Sequence, residues 1–170
     1  MLPHLINLFK QNTVFPFAYY VAFPYICRSN VKPTPFAYMR YSLIIPVFNR
    51  PDEVDELLQS LTSQTFRDFE VVVVEDGSSV PCREVAERYA GRLDVHYYAK
   101  PNSGPGQTRN YGAERSRGDF LIILDSDVIL PPGYLDAVEQ ELRRCPADAF
   151  GGPDRAHPSF TPLQKALNYA

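Results

Sequence analysis

The sequence predicts an α/β fold in which a mostly parallel sheet carries helices on both faces. Five short apolar segments are typical of strands buried on both sides, at residues 42–47, 69–74, 95–98, 120–124 and 147–150. Segments with helical spacing or helix-start residues lie between them. Because strands and helices alternate along the chain, we expect parallel strands joined by right-handed crossovers.

Each predicted helix has its own signal. Pro51, Asp52 and Glu53 suit a first helical turn, and an apolar stripe follows at Val54, Leu57, Leu58 and Leu61. A short second helix is predicted around residues 85–90 and a third around residues 108–116. A fourth begins after two prolines and has an apolar side formed by Tyr134, Leu135, Val138 and Leu142. Residues 120–124 form the most apolar strand, which predicts a place near the centre of the sheet.

Residues 1–40 differ in composition from the rest of the chain. All 20 acidic residues follow residue 40, whereas residues 1–40 hold five prolines and nine Phe or Tyr. Their apolar part is interrupted by Pro16 and Pro24 and is shorter than the roughly 20 residues that span a bilayer. We divide the chain into an irregular segment, 1–40, and a domain, 41–170. The segment is interpreted as a non-native extension, a membrane-surface arm or a packing arm, and residues 1–38 are expected to contribute little to the core.

Charge and cysteine content argue against a nucleic-acid surface, a disulfide framework and a zinc site. The formal net charge is -3, so the basic surface that nucleic acid requires is not predicted. Cys27, Cys82 and Cys145 stand far apart, which argues against a disulfide framework and against a zinc site. Idle thiols fit a reducing compartment, and we expect a cytoplasmic protein, with peripheral contact at the cytoplasmic face of a membrane as an alternative.

Polar residues follow three of the predicted strands directly. They are Asn49 and Arg50 after the first strand, Glu75 and Asp76 after the second, and Asp125 and Asp127 after the fourth. Ligands of open parallel sheets bind outside the carboxyl ends of the strands. These side chains are therefore expected to lie around one site.

The Asp125-Ser126-Asp127 sequence gives the sharpest chemical signal. Two carboxylates 4 Å apart repel each other by about 4 kcal/mol at an effective dielectric of about 20, and a divalent cation reverses that sign. Mn²⁺ and Mg²⁺ prefer such oxygen ligands. A solvated turn is the alternative for this motif, a capping turn for residues 75–77, and an exposed helical charge for Arg109. Residues 102–106 fit a hinge or a phosphate-approaching loop, but they lack the spacing of a P-loop or a dinucleotide fingerprint.

Three motifs together resemble glycosyltransferase family 2, a large inverting family with the GT-A fold. They are SLIIPVFNRPDEVDELLQSLTSQTF (42–66), VVVVEDGSS (71–79) and NSGPGQTRNYGAERSRGDFLIILDSDV (102–128). The resemblance extends over about residues 41–154. Their order and spacing make the combination far more specific than any one motif.

The resemblance implies a donor site and a metal site. The donor site consists of Pro46, Phe48, Asn49, Glu75, Asp76, Arg109, Asp125 and Ser126, and the cation is held by Asp127 with Asp125. Pro46, Phe48 and Asn49 are implied to line the base, with Asp76 near it. The implied cofactor is Mn²⁺ or Mg²⁺. The implied partners are a nucleotide-diphosphate sugar, in particular a UDP-sugar, and a saccharide or lipid-linked acceptor.

The family's general base belongs to an acidic motif after a further strand, and no such motif follows Asp154. The base is therefore expected beyond Ala170, and the chain is predicted to be the donor-binding N-terminal portion, truncated on its C-terminal side. Asp148 and Asp154 are not assigned as the base, and His157 is interpreted as a surface histidine. A last helix is expected around residues 160–167.

Three other functions are alternatives to sugar transfer. An inert, truncated nucleotide-binding domain has the same donor site but no turnover. A sugar-phosphate nucleotidyltransferase has a related sheet, but it opens with a glycine-rich loop where this chain has Pro46 to Asn49. A receiver domain requires paired acids directly after the first strand and a lysine directly after the fifth, and this sequence has neither.

Overall fold

The computed structural model describes residues 25–28 and 39–151. The strands are β1 (Tyr25–Arg28), β2 (Met39–Val47), β3 (Phe69–Asp76), β4 (Val95–Lys100), β5 (Gly118–Ile123) and β6 (Ala149–Phe150). The helices are α1 (Pro51–Thr62), α2 (Arg83–Tyr89), α3 (Pro105–Ala113) and α4 (Tyr134–Arg144).

The strands form one sheet in the order β4-β3-β2-β5-β1-β6. Strands β2 to β5 are parallel to their neighbours among themselves, and Ile44 of β2 pairs with Val72 of β3 and with Ile123 of β5. Strand β1 lies between β5 and β6 and is antiparallel to both. The predicted α/β fold and the interior position of the strand around residues 120–124 are therefore confirmed.

The region before residue 41 differs from the prediction. Tyr25–Arg28 is a strand of the sheet, and Met39 and Arg40 already belong to β2. The prediction of an irregular segment was wrong for these residues. A strand of four residues is too short to show a clear alternation of apolar and polar residues within an aromatic, proline-rich sequence. The expectations for residues 1–24 and 29–38, for Asp154 and His157, and for a helix at 160–167 lie outside the described residues.

Two boundaries near the strand ends also differ. Strand β3 continues through Glu75 and Asp76, which were expected to follow the strand, because they pair with Ala99 and Lys100 of β4. Helix α3 begins earlier than expected, at Pro105. Gly104 turns the chain with φ 89°, and proline suits the first helical position. None of the four helices in the described ranges combines the length and the apolar character needed to cross a bilayer.

Successive side chains of each strand point to opposite faces of the sheet. One face carries the larger core, into which α1, α2 and α4 insert their apolar sides, including Leu57, Leu58, Tyr89, Leu135 and Val138. The opposite face carries a smaller core of Ile44, Val72, Val74 and Leu121, and α3 packs against β2 and β3 there. The predicted helices on both faces are thus present.

Helix α3 approaches the sheet most closely at Gly112. A Cβ atom at this position would lie 2.6 Å from Cγ2 of Ile44 and 3.2 Å from Cγ2 of Val74. Only a residue without a side chain permits this approach. It fixes the start of α3, with Arg109, beside the carboxyl ends of β2 and β3.

Helix α4 is held to β2 by the carboxylate of Glu139. This group accepts hydrogen bonds from the Tyr41 hydroxyl at 2.5 Å, Arg40 Nε at 3.0 Å and Arg143 Nε at 2.8 Å. Burial by itself would raise the pKa of Glu139, but these three donors outweigh it and lower the pKa to about 2. The group therefore stays ionised in the folded chain and joins α4 to the sheet.

Candidate functional site

An open cleft of about 490 Å³ lies at the carboxyl ends of the parallel strands. The chain after β2, the end of β3, residues 101–104, the start of α3 and the chain after β5 enclose it. Its lining consists of Pro46, Val47, Phe48, Arg50, Asp76, Asn102, Gly104, Pro105, Thr108, Arg109, Asp125, Ser126 and Asp127.

The cleft brings together most of the predicted site residues. Seven of them line it, namely Pro46, Phe48, Asp76, Arg109, Asp125, Ser126 and Asp127. Asn49 and Glu75 do not. The register explains the convergence, because Val47 of β2 pairs with Glu75 of β3 and Ile44 of β2 pairs with Ile123 of β5. Three strand ends therefore reach the same edge of the sheet.

The pleat of β3 separates Glu75 from Asp76. Adjacent residues of a strand face opposite sides of the sheet, so the two carboxylates point in opposite directions. Asp76 lies on the same face as α3 and borders the cleft. Glu75 lies on the other face, beside Cys82 and Tyr97.

Asp76 has an ionised carboxylate that is fixed by hydrogen bonds and an ion pair. The backbone N–H groups of Ser103 and Gly104 donate to its two oxygens, each at 2.9 Å, and the ammonium of Lys100 pairs with Oδ1. Burial would raise the pKa of Asp76, but the bonds from Lys100, Ser103 and Gly104 lower it below its ordinary value. Because each carboxylate oxygen can accept two hydrogen bonds, Asp76 keeps acceptor capacity toward the cleft.

Glu75 has a structural position in this molecule. Its buried carboxylate accepts hydrogen bonds from the backbone N–H of Cys82 at 2.7 Å and the Tyr97 hydroxyl at 3.1 Å, and from the Ser78 hydroxyl. Burial and the neighbouring Glu75 raise the pKa of the Cys82 thiol and of the Tyr97 hydroxyl above their ordinary values. Glu75 thus ties the β3–α2 connection to β4.

Asn49 connects the two loops at the edge of the cleft. It adopts φ 56°, a conformation that asparagine tolerates better than most residues. Its Oδ1 accepts hydrogen bonds from the backbone N–H groups of Ser79 at 2.8 Å and Val80 at 3.0 Å, while its own N–H donates to Ser78 Oγ at 2.7 Å. The side chain is therefore directed at the neighbouring loop, and its neighbour Phe48 extends into the cleft.

Phe48 is an exposed aromatic ring on the cleft wall. Its side chain is 51% exposed, and among the described residues Val80 is the other large hydrophobic side chain of comparable exposure. A large apolar group at the mouth of a polar cleft is typical of a surface that a planar ligand covers.

Two of the three cleft aspartates follow β5, and each faces an arginine. Asp125 Oδ1 lies 3.0 Å from Arg109 Nη2, and Asp127 Oδ2 lies 4.0 Å from Arg50 Nη1. The aspartate side chains are 52% and 57% exposed, so both carboxylates reach the solvent of the cleft. This donor set fits a divalent cation that prefers oxygen ligands and retains some of its water. Ser126 between them is buried.

Several lining residues received no specific role from the sequence. Arg50 was recognised as a polar residue after the first strand but received no role. Asn102, Gly104, Pro105 and Thr108 join the cleft because the chain folds back over Asp76: Asn102 Nδ2 donates to the Asp76 carbonyl at 2.8 Å, and Thr108 Oγ1 donates to the Gly104 carbonyl at 2.8 Å. The Gly104-Pro105 pair, a turn residue before a helix-start residue, was the signal available for this contact.

A second polar cluster lies away from the cleft, among the described residues near the amino ends of the strands. It includes Glu70, Asp94 and His96, whose ligand-type atoms lie within 4.8 Å of one another. The guanidinium of Arg117 already fills the space between them, at 2.8 Å from Glu70 Oε2, 2.6 Å from Asp94 Oδ2 and 2.8 Å from His96 Nε2. Because a fixed cation occupies this centre, we do not assign a metal site there.

The sequence matches the family model of glycosyl transferase family 2 over residues 42–168. TarS of Staphylococcus aureus, a poly(ribitol-phosphate) beta-N-acetylglucosaminyltransferase, is 37% identical over 93 residues, which are 52% of this chain and 16% of the relative. A GalNAc(5)-diNAcBac-PP-undecaprenol beta-1,3-glucosyltransferase of Campylobacter jejuni is 30% identical over 115 residues, 66% of this chain and 37% of the relative. The chain thus spans well under half the length of these relatives.

Solved structures agree with the sequence match. Residues 1–349 of TarS from S. aureus in complex with UDP-GlcNAc superpose with a TM-score of 0.60 at 33% identity, covering 62% of this chain and 32% of that one. The mannosyltransferase PcManGT from Pyrobaculum calidifontis, in complex with GDP-Man and Mn²⁺, superposes with a TM-score of 0.52 at 24% identity and covers 61% of this chain and 32% of that one. At that identity the likeness to PcManGT concerns the fold alone. With its GT-A sheet and a family match over three quarters of its length, the chain belongs to glycosyl transferase family 2.

Proposed function

We propose that this chain forms the donor-binding part of a glycosyltransferase that moves a sugar from a nucleotide-diphosphate sugar to a saccharide or lipid-linked acceptor. The observation that carries the proposal is the combination in one cleft of an exposed aromatic ring, a held carboxylate and an aspartate pair beside arginines. These groups match the base, the base edge and the diphosphate of one extended ligand.

Phe48 and Asp76 are assigned to the base. The ring of Phe48 offers a stacking surface, and the ionised Asp76 offers only hydrogen-bond acceptors. Such a carboxylate favours a base that presents a ring N–H donor, as uracil does at N3 and guanine at N1, and disfavours cytosine, which presents an acceptor at N3. Of the two favoured bases we propose uracil, and the UDP-GlcNAc complex of TarS supports this choice.

Asp125 and Asp127 are assigned to the divalent cation, and Arg109 to the nucleotide. When bound, the cation neutralises the diphosphate leaving group as the bond to the sugar breaks. Arg109 and Arg50 lie where they can donate hydrogen bonds to phosphate oxygens. The carboxylates on the described lining, Asp76, Asp125 and Asp127, all have roles already, so the general base is assigned to none of them.

Titration calorimetry with UDP and Mn²⁺ tests the donor site. We expect Asp127→Ala to weaken Mn²⁺-dependent UDP binding by about tenfold or more, because one of two carboxylate ligands is lost. Its side chain is exposed, so the melting temperature should be retained. Asp148→Ala, an exposed aspartate that does not line the cleft, is the matched control.

The nucleotide series UDP, CDP and GDP tests the base assignment in the same experiment. UDP should bind at least about tenfold more tightly than CDP, because the N3 atom of cytosine is an acceptor and cannot donate to the Asp76 carboxylate. Equal affinity for all three nucleotides would contradict the base assignment. Unchanged UDP affinity in Asp127→Ala would contradict the metal assignment. Transfer assays against saccharide acceptors then separate a transferase from a domain that only binds the donor.

A further inference from the structure

Each aspartate of the proposed metal pair has an arginine as its counter-ion in the free cleft. Arg109 Nη2 contacts Asp125 Oδ1 at 3.0 Å, and Arg50 Nη1 lies 4.0 Å from Asp127 Oδ2. These four side chains carry two negative and two positive charges, so the group is electrically balanced before a ligand enters. A cation that binds there meets aspartates that are already paired.

The balance changes in different ways with each ligand. A divalent cation alone leaves this group with an excess of positive charge, and a diphosphate alone leaves an excess of negative charge. The charge of a nucleotide-sugar diphosphate is similar in size and opposite in sign to that of a divalent cation, so both together restore the balance. Charges in a partly enclosed cleft interact more strongly than in bulk water, which makes the combined state the favoured one.

The surroundings of Arg50 and of Arg109 allow each arginine to exchange its partner. Arg50 Nη1 also lies 3.2 Å from Glu53 Oε1, so this guanidinium keeps an acidic neighbour when it leaves Asp127. The Nε atom of Arg109 is shielded from solvent and has no hydrogen-bond partner among the described residues. A buried donor without an acceptor is unfavourable, and a phosphate oxygen beside it removes that cost.

We propose that Arg50 and Arg109 are exchangeable counter-cations, which hold Asp127 and Asp125 in the free chain and turn to the diphosphate when the aspartates take the divalent cation. The inference rests on the proposed donor site and adds a coupling between its two ligands. Cation and nucleotide then strengthen each other's binding, and by linkage the factor is the same in both directions.

The test measures Mn²⁺ affinity by electron paramagnetic resonance of free Mn²⁺, without nucleotide and with saturating UDP. The variants are Arg109→Met and Arg50→Met in the full chain, with Arg109→Lys keeping the charge but not the planar fork. Arg144→Met is the matched control for net charge, because Arg144 pairs with Glu141 on α4 and does not line the cleft. Melting temperatures check that each variant is folded.

Without nucleotide, Arg109→Met should bind Mn²⁺ about 2- to 5-fold more tightly than the wild type, because a competing ion pair is gone. Arg50→Met should show a smaller gain in the same direction, since its contact with Asp127 is longer. With UDP present, Arg109→Met should bind Mn²⁺ about tenfold more weakly than the wild type, because the diphosphate has lost its arginine. Arg144→Met should match the wild type in both conditions.

Two results overturn the exchange and are distinct from failure of the proposed function. If Arg109→Met binds Mn²⁺ more weakly without nucleotide, the arginine only orients Asp125. If the gain is equal with and without UDP, the arginine repels the cation without serving the diphosphate. In both cases the wild type still binds Mn²⁺ and UDP together, so the donor site stands. A wild type that binds neither contradicts the proposed function and the exchange with it.

Discussion

Glu75 and Asp76 are adjacent carboxylates with different surroundings, since one ties together the β3–α2 connection and the other borders the cleft. Their identity as acids at a strand end was readable from the sequence. Which of them faces the cleft depends on the pleat and on where the strand stops, and polar residues at a strand end blur that boundary. Strand β3 runs two residues further than expected, and this extension determines which of the two carboxylates faces the cleft.

Asn49 illustrates the same limit at a neighbouring loop. The resemblance implies a place beside the base, and in the structure its carboxamide oxygen accepts hydrogen bonds from Ser79 and Val80. A side-chain amide that caps another loop leaves no periodic trace in the sequence, because its partners lie thirty residues away. The adjacent residue, Phe48, lines the cleft beside that bridge.

Phe48 provides the clearest test of the cleft at the scale of one side chain. We expect Phe48→Ala to weaken UDP binding at least about 5-fold, because stacking a base on an aromatic ring is worth about 1–3 kcal/mol. The melting temperature should change little, since the ring is half exposed. Val80→Ala is the control, as Val80 is equally exposed and does not line the cleft. Calorimetry that finds the same UDP affinity in both variants would remove Phe48 from the base site.

Helix α3 contributes Pro105, Thr108 and Arg109 to the cleft lining, and its place was only partly predicted. The helix was expected from residue 108, whereas Pro105 begins it and Gly104 accepts the positive φ that precedes it. Its weak apolar pattern explains the late boundary, because only Thr108 and Gly112 of its residues are buried. Close backbone approach, rather than an apolar stripe, holds it on the sheet.

Two glycines of α3 allow that packing to be measured. Gly112→Ala places a methyl group 2.6 Å from Ile44 Cγ2, so we expect the unfolding free energy to fall by about 1–3 kcal/mol despite the better helix propensity of alanine. Gly106→Ala is the same substitution in the same helix with no atom within 4 Å of the new Cβ. It should be neutral or stabilise the protein by up to about 1 kcal/mol.

Urea denaturation of both variants gives the comparison. A Gly112→Ala variant as stable as Gly106→Ala would mean that α3 does not approach the sheet at this point. In that case the position of Arg109 beside the cleft would lose its structural basis.

At the scale of the whole molecule, the sequence order of strands and helices predicted the sheet because parallel strands must be joined by crossovers. That rule also predicted that residues far apart in the chain, from Pro46 to Asp127, meet at one edge. It gives no information on a strand that joins the sheet in antiparallel orientation. Strand β1 is such a case, because it enters between β5 and β6 rather than next to its neighbour in sequence.

The position of β1 changes what is expected of the segment before Met39. Ile26 pairs with Ile122 of β5 and with Phe150 of β6, so β1 connects β6 to the rest of the sheet. Without it, β5 has an open edge and β6 has no strand partner in the described part of the chain. The sheet is then shortened from six strands to four.

Proline at position 26 tests this connection through the backbone alone. Ile26→Pro removes an N–H from a strand that has neighbours on both sides and breaks a ladder hydrogen bond. A loss of about 2–4 kcal/mol corresponds to a melting temperature lower by about 5–10 °C for a chain of this size. Ile26→Val keeps the N–H and the strand preference, and it should melt within about 2 °C of the wild type. Hydrogen exchange at the amides of β5 should accelerate in the proline variant and not in the valine variant.

A chain that starts at Met39 should lose at least as much stability as Ile26→Pro. If both the shortened chain and the proline variant melt with the wild type, β1 contributes nothing to the sheet, and the segment before residue 39 is an extension outside the core, as its composition first indicated.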